Sequence, residues 1–211
     1  MQYRSVFLFI FLVLSGKTVA QTQSKLYFPA LSEKMGLKMP RLKDGDYEIR
    51  VWKKCQLCFG EAHELFRLIK TERKLSLSKY NLRFRRDKFI RAEEIESKKI
   101  VPDDLWRRLE QQNVLTLPDQ AAIADELHPR PQRDSTWYTI SSDGTINVHA
   151  KKKKNSFIWI TDGESYHFEI FSANGSRTYA YINPHGDFRH KPEIIELKKV
   201  VSILDELGAA F

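Results

Sequence analysis

"VWKKCQLCFGEAHELFRLIKTERKLSLSKYNLRF", residues 51–84, holds both cysteines of the chain and admits two folds. In one, Phe59, Ala62, Leu65, Phe66 and Ile69 mark a helix, and a strand–CxxC–helix unit is thioredoxin-like. In the other, 63–70 and 75–84 are the arms of a hairpin. The second half decides it. "KLSLSKYNLRF" alternates, with Leu75, Leu77, Lys79 and Asn81 on one face and Tyr80, Leu82 and Phe84 on the other. An apolar run ending in the polar "KTERK" and answered by an alternating run reads as a hairpin. Gly60 would also fall in the first turn of the competing helix, where it is unfavourable. The CxxC is therefore expected to join two sheet strands.

Upstream, "KDGDYEIRVW" carries the turn dipeptide Asp44-Gly45 into a strand. Tyr47, Ile49 and Val51 are expected to face a core, and Glu48 and Arg50 the other side. Residues 21–43, with Pro29, Gly36 and Pro40, read as a poorly ordered lead or an edge segment. Before them, "MQYRSVFLFIFLVLSGKTVAQ" has Arg4, an unbroken apolar run from Val6 to Leu14, and small residues at Thr18 and Ala20. That order is a secretory signal peptide, with cleavage near Ala20. The apolar run is less than half of what a membrane-spanning helix needs. Residues 1–20 are thus read as a signal peptide, 21–43 as the lead and 44–211 as a single domain. The protein is expected to be exported, to the periplasm or beyond the cell, and not to span a membrane.

Downstream, Pro102, Asp103 and Asp104 are helix-start chemistry, followed by Leu105, Trp106 and Leu109, with Asn113 as the stop. "LPDQAAIADEL" repeats that grammar for a second short helix. Three turn dipeptides, Asp143-Gly144, Asp162-Gly163 and Asn174-Gly175, then separate strand-like runs and predict a meander. The last segment, "KPEIIELKKVVSILDELGAAF", places Ile194, Leu197, Val201 and Leu204 on one stripe, widened by Val200, Ile203 and Leu207. It predicts an amphipathic helix lying on the sheet. The expected class is α+β: an antiparallel sheet, made of the N-terminal hairpin region and the C-terminal meander, covered on one face by a few helices.

Charge narrows the partners. The chain carries +8, and removing residues 1–20 takes away Arg4 and Lys17 and no acid, leaving +6. Lys151, Lys152, Lys153 and Lys154 form the one basic run, between two strand-like segments. It reads as a solvated loop or hairpin end, or as a patch for phosphate, anionic lipid or acidic glycan. An exported chain does not point to nucleic acid. Phe84-Arg85-Arg86 and Trp106-Arg107-Arg108 accordingly read as core aromatics beside surface charge rather than as stacking platforms.

In an oxidising compartment Cys55 and Cys58 are expected to form a small disulfide. The alternative is a redox-active pair, with Lys53 and Lys54 favouring the thiolate. A metal site is a weaker candidate. Cys55, Cys58 and His63 lack a second cysteine pair, and His185, Asp187 and His190 of "HGDFRH" are read as lying on a loop. No GxSxG, HExxH or glycine-rich phosphate loop is present, so the reading leans against an enzyme and invokes no cofactor. The function expected is non-catalytic binding of a protein, a glycan or an anionic surface. Trp137, Tyr138, Trp159 and Lys151–Lys154 are its candidate residues. The alternative is a thiol–disulfide protein.

Overall fold

The computed structural model describes residues 27–55, 63–85, 88–96, 101–129, 135–151 and 163–211. The predicted signal peptide, Cys58, Lys152–Lys154, Trp159 and the strand expected over 156–161 lie outside them. Eight strands and five helices are described. Helix α1 covers residues 27–34, followed by β1 (Tyr47–Cys55), β2 (His63–Lys70), β3 (Leu75–Arg85) and β4 (Lys88–Ile95). Next come α2 (Leu105–Gln111), a 3-10 turn (Gln120–Ile123), α3 (Ala124–Leu127) and the strands β5 (Ser135–Ile140) and β6 (Ile146–Lys151). The chain closes with β7 (Glu164–Ser172), β8 (Gly175–Ile182), α4 (Pro184–His190) and α5 (Ile195–Gly208).

The α+β class is as the sequence predicts. The main sheet has the order β4-β3-β2-β1-β7-β8, with every neighbouring pair antiparallel. Residues 63–70 are a strand, and Val51 pairs with Phe66 while Leu65 pairs with Tyr80. The hairpin reading of the opening stretch is therefore the observed one. Turn 71–74 closes on the Thr71 N–H, which donates to Lys74 O at 2.8 Å.

The C-terminal strands depart from a single meander. β5 and β6 form a separate two-stranded ribbon, while β7 leaves β6 and pairs with β1. Local turn chemistry sets each hairpin, but the apolar face of β7 is satisfied only against the centre of the sheet. Tyr166, Phe168 and Ile170 join Ile49, Val51, Phe66 and Leu68 in the main core. Onto this face pack Leu105 and Leu109 of α2 and Leu197, Val200, Ile203, Leu204 and Leu207 of α5. The expected stripe of α5 is thus the buried one.

Helices cover both faces, not one. On the opposite face Phe28 and Leu31 of α1 pack with Trp52, Leu65 and Leu82. Residues 27–34, expected within a loose lead, are an ordered helix, because Phe28, Leu31 and Met35 recur at helical spacing and find this apolar floor. Gly36, at φ 73°, ends the helix. Its N–H donates to Glu33 O, and that of Leu37 donates to Ser32 O, while Leu37 packs back on the same cluster. That pattern satisfies the last helical carbonyls and favours glycine at the left-handed position.

The edge strand β8 is tied to the segment before α3. Tyr179 and Tyr181 donate to the carbonyls of Val114 and Pro118, and Arg177 donates to those of Leu115 and Leu117. Asp119 and Gln120 accept from the Ala180 and Ile182 N–H groups. Side chains therefore occupy an edge that would otherwise be free to pair with another strand. Among the described residues no helix is long and apolar enough to cross a membrane.

Candidate functional site

The β5–β6 ribbon is the described element whose burial pattern fits its sequence worst. Alternation on a pleated pair sends residues to opposite faces. Register places Tyr138 opposite Val148, Ile140 opposite Ile146 and Thr136 opposite Ala150, so all six share one face. That face is apolar apart from the Thr136 and Tyr138 hydroxyls, yet every residue of both strands is exposed. Tyr138 is 69% exposed and Val148 75%.

The other face is polar and internally satisfied. Trp137 stacks on His149, with ring centroids 5.3 Å apart, and Thr139 Oγ1 lies 2.9 Å from His149 Nε2. Asn147 donates to Ser141 Oγ at 2.9 Å. At the tip, the Ser141 N–H donates to Thr145 O, and Asp143 accepts from the Thr145 N–H. That backbone hydrogen bond is the main reason the Asp143 carboxyl lies below the ordinary range.

Trp137 and Tyr138, both candidate binding residues, are therefore on opposite faces, because neighbours in a strand point apart. Ile140, Ile146 and Val148 complete the Tyr138 face and were not among the sequence candidates. Their signal was the period-2 spacing on either side of Asp143-Gly144. Lys151 is the last residue of β6 and is exposed.

Cys55 ends β1, opposite Glu164 of β7. It is not a free thiol. Its neighbouring lysines are committed elsewhere: Lys53 Nζ lies 2.6 Å from Glu164 and 3.7 Å from Glu64, and Lys54 Nζ sits 5.8 Å from the centre of the Tyr27 ring. Burial works to raise the Glu164 carboxyl, but hydrogen bonds from Lys53 and Tyr166 hold it below the ordinary range.

The histidine candidates do not converge. His63 is buried on the α1 face, 4.5 Å between centroids from Phe84, with Tyr27 Oη 3.4 Å from its Nε2. His185, Asp187 and His190 lie on helix α4, not on a loop. Pro184 takes the first turn after Asn183, whose φ of 51° redirects the chain. His185 Nε2 is 3.2 Å from Asp205, and Asp187 accepts from Gln120 at 3.0 Å. Burial raises the Asp187 carboxyl above its ordinary value. Among the described residues no group of three or more His, Cys, Asp or Glu side chains is placed to hold a metal ion.

A cluster of buried charge under α1 was not foreseen, because Glu48 and Arg50 look like a wet strand face. They are 1% and 3% exposed. Register sets Arg50 directly across from both Arg67 and Glu169. Glu48 is shared by the two arginines: Oε1 accepts from Arg50 Nε at 2.7 Å and from Arg67 Nε at 2.9 Å, and Oε2 accepts from Arg67 Nη2 at 3.0 Å. Burial alone would raise its carboxyl, but hydrogen bonds and charge from Arg67 and Arg50 keep it low. Arg50 also donates to Ser32 Oγ and Lys38 O, pinning the end of α1. Glu169 accepts from the Trp52 indole at 2.6 Å, and burial raises its carboxyl. Each of these groups is engaged by its neighbours, so the cluster ties α1 to the sheet rather than presenting groups to a substrate.

Compared with known protein families, with curated proteins and with solved structures, the chain matches none. The site therefore rests on geometry alone.

Proposed function

We propose that the protein is an exported, non-catalytic binding protein whose β5–β6 ribbon is the binding element. The observation that carries this reading is the apolar face of Tyr138, Ile140, Ile146 and Val148 held in solvent. A two-stranded ribbon is marginally stable by itself. Four large apolar side chains left in water add nothing to the fold and gain free energy only when something covers them. The buried charged residues of the main sheet, Glu48 and Arg50, are engaged by their neighbours, whereas the ribbon's apolar face is not.

Export rests on the first twenty residues, and with it the closure of Cys55 and Cys58 into a small disulfide in an oxidising compartment. The thiol–disulfide alternative has less support. Residues 63–70 are a strand, so the long helix over 59–72 that the thioredoxin-like alternative requires does not run through them.

The binding reading is tested by placing a photoreactive benzoylphenylalanine at Tyr138 in producing cells. A specific adduct is expected, and the paired change Tyr138→Ser/Val148→Ser in the unlabelled protein is expected to remove any association while changing stability by no more than about 0.5 kcal/mol. Absence of any adduct, protein or lipid, would sink the reading.

A further inference from the structure

We propose that β4, an edge strand of the main sheet, pairs antiparallel with β4 of a second copy of this chain, centred on Ala92, so that Arg91 of each copy faces Glu93 of the other. The proposal goes beyond the ribbon reading and does not depend on it.

The two edges of the main sheet are finished differently. At one end of the strand order, the Ala180 and Ile182 N–H groups of β8 are taken by the side chains of Asp119 and Gln120. At the other end β4 pairs with β3 alone, and among the described residues no side chain plugs its outer backbone. An edge left in that state is a template for another strand. The bulge in the pair adds one residue, Ile90, near the start of β4. From Arg91 to Ile95 the strand runs in regular register with β3, from Arg83 back to Lys79.

Charge selects the occupant. Along the strand Lys88 and Arg91 come first, and Glu93, Glu94 and Glu96 follow. A strand basic in its first half and acidic in its second complements its own copy run the other way. A two-fold axis through the sheet sets residues of the same face opposite one another, so each such register centres on one residue. Centring on Arg91 opposes two arginines, and centring on Glu93 opposes two glutamates. Centring on Ala92 sets an Arg91–Glu93 pair on either side of two methyl groups. Opposite charges facing across strands stabilise the pairing, and like charges destabilise it.

The side chains that would make these pairs are accessible and not fully matched within one copy. Arg91 and Glu93 are 61% and 38% exposed. Arg91 lies directly across from Arg83, and the two lean on the same Glu93 carboxylate, at 2.6 and 3.1 Å. A second carboxylate beside Arg91 eases the repulsion between those neighbouring guanidinium groups. Main-chain hydrogen bonds supply the attraction and the ion pairs fix the register. β4 has eight residues, so the contact is short and the dimer weak, and salt weakens it further.

Sedimentation equilibrium of the full chain over a wide concentration range should show a reversible dimer. Arg91→Glu and Glu93→Arg should each weaken it at least about tenfold, because both symmetry-related pairs become repulsive at once. Mixed together, the two variants should associate as the wild type does, since every facing pair is again opposite in sign. That recovery is not expected of substitutions that merely disturb the fold. Ala92→Cys gives a measurement independent of charge. Residues directly opposite have Cα atoms about 5 Å apart, within disulfide reach, so mild oxidation should link this variant into a covalent dimer. Glu94→Cys, whose own mate lies roughly 14 Å away in this register, should not be linked.

A chain monomeric at every concentration, a mixture that fails to recover, or equal cross-linking at positions 92 and 94 overturns the proposal. Tyr138→Ser/Val148→Ser should leave the dimer unchanged. Loss of the dimer in that variant would move self-association to the ribbon and remove the β4 assignment, while failure at β4 leaves the ribbon to its own cross-linking test.

Discussion

Glu48 is one carboxylate shared by two guanidinium groups, beneath a helix and almost without solvent. Glu48→Gln keeps the shape and removes the charge, leaving Arg50 and Arg67 facing each other across β1 and β2. Breaking a buried pair from one side costs about 3–5 kcal/mol. Urea unfolding is expected to show a loss of that size, and a loss below about 1 kcal/mol would contradict the arrangement. Asn183 gives a second prediction, of a steric kind. A Cβ on Gly163 would lie 2.9 Å from the Asn183 Cβ, which cannot rotate away. Gly163→Ala should therefore cost about 1–3 kcal/mol. Adding Asn183→Gly, which removes the obstacle and suits the φ of 51°, should restore much of it. A thermal-denaturation cycle over the four proteins checks the coupling. Neither arrangement could be read from the chain: Glu48 alternates with Ile49 like any surface acid, and Asn183 follows an ordinary strand.

At the scale of elements, the sequence was most legible where one local rule acted alone. Asp119 caps its turn by accepting from the Ala121 N–H, and Asp104 precedes Leu105 and Leu109 of α2, as the Pro-Asp signals foretold. It was less legible where an element depends on a distant floor. Helix α1 contains Pro29 and follows a signal-like segment, so its Phe28–Leu31–Met35 spacing is not by itself a helix signal. Its fate was decided by Trp52, Leu65 and Leu82. The β1–β2 connection carries the prediction that belongs here. The proposed Cys55–Cys58 bridge, across so short a loop, would restrict the unfolded chain little, so Cys55→Ser/Cys58→Ser should lower stability by no more than about 2 kcal/mol. An insulin-reduction assay should find no activity in the wild type for the variant to lose. Turnover abolished by the variant would return the thiol–disulfide reading to first place.

Across the whole molecule, the helices on both faces of the sheet create an interior that disfavours a charge without a partner, unlike the paired Glu48 and Arg50. His167 stacks on Phe28 of α1, with centroids 4.5 Å apart, and burial pushes its pKa down from 6.5 to about 4, against the pull of Asp119. A depressed histidine means that the unfolded chain binds the proton more readily. Its contribution to stability is intact above about pH 6.5 and is lost as pH falls toward 4. The loss should be on the order of 2 kcal/mol after allowance for partial solvent contact. Glu169 on the same face has a raised carboxyl and the opposite sign, favouring the fold at low pH and less so as it ionises. His167→Phe preserves the stack and removes the proton site. Chemical denaturation of the two proteins between pH 7 and 4 should show a flatter profile for the variant, and parallel profiles would refute the assignment.

The sequence by itself determined the antiparallel α+β class, the strand on each side of the CxxC, the starts of the short helical segments after Asp104 and Asp119 and the broad stripe of α5, because each depends on residues within one or two turns of one another. Tertiary structure alone decided that β7 docks beside β1, that α1 roofs the second face and turns Glu48 and Arg50 into interior groups, and that the β5–β6 ribbon is left uncovered. Those outcomes depend on which apolar surfaces meet in space. Periodicity states that a face is apolar but not what, if anything, will bury it.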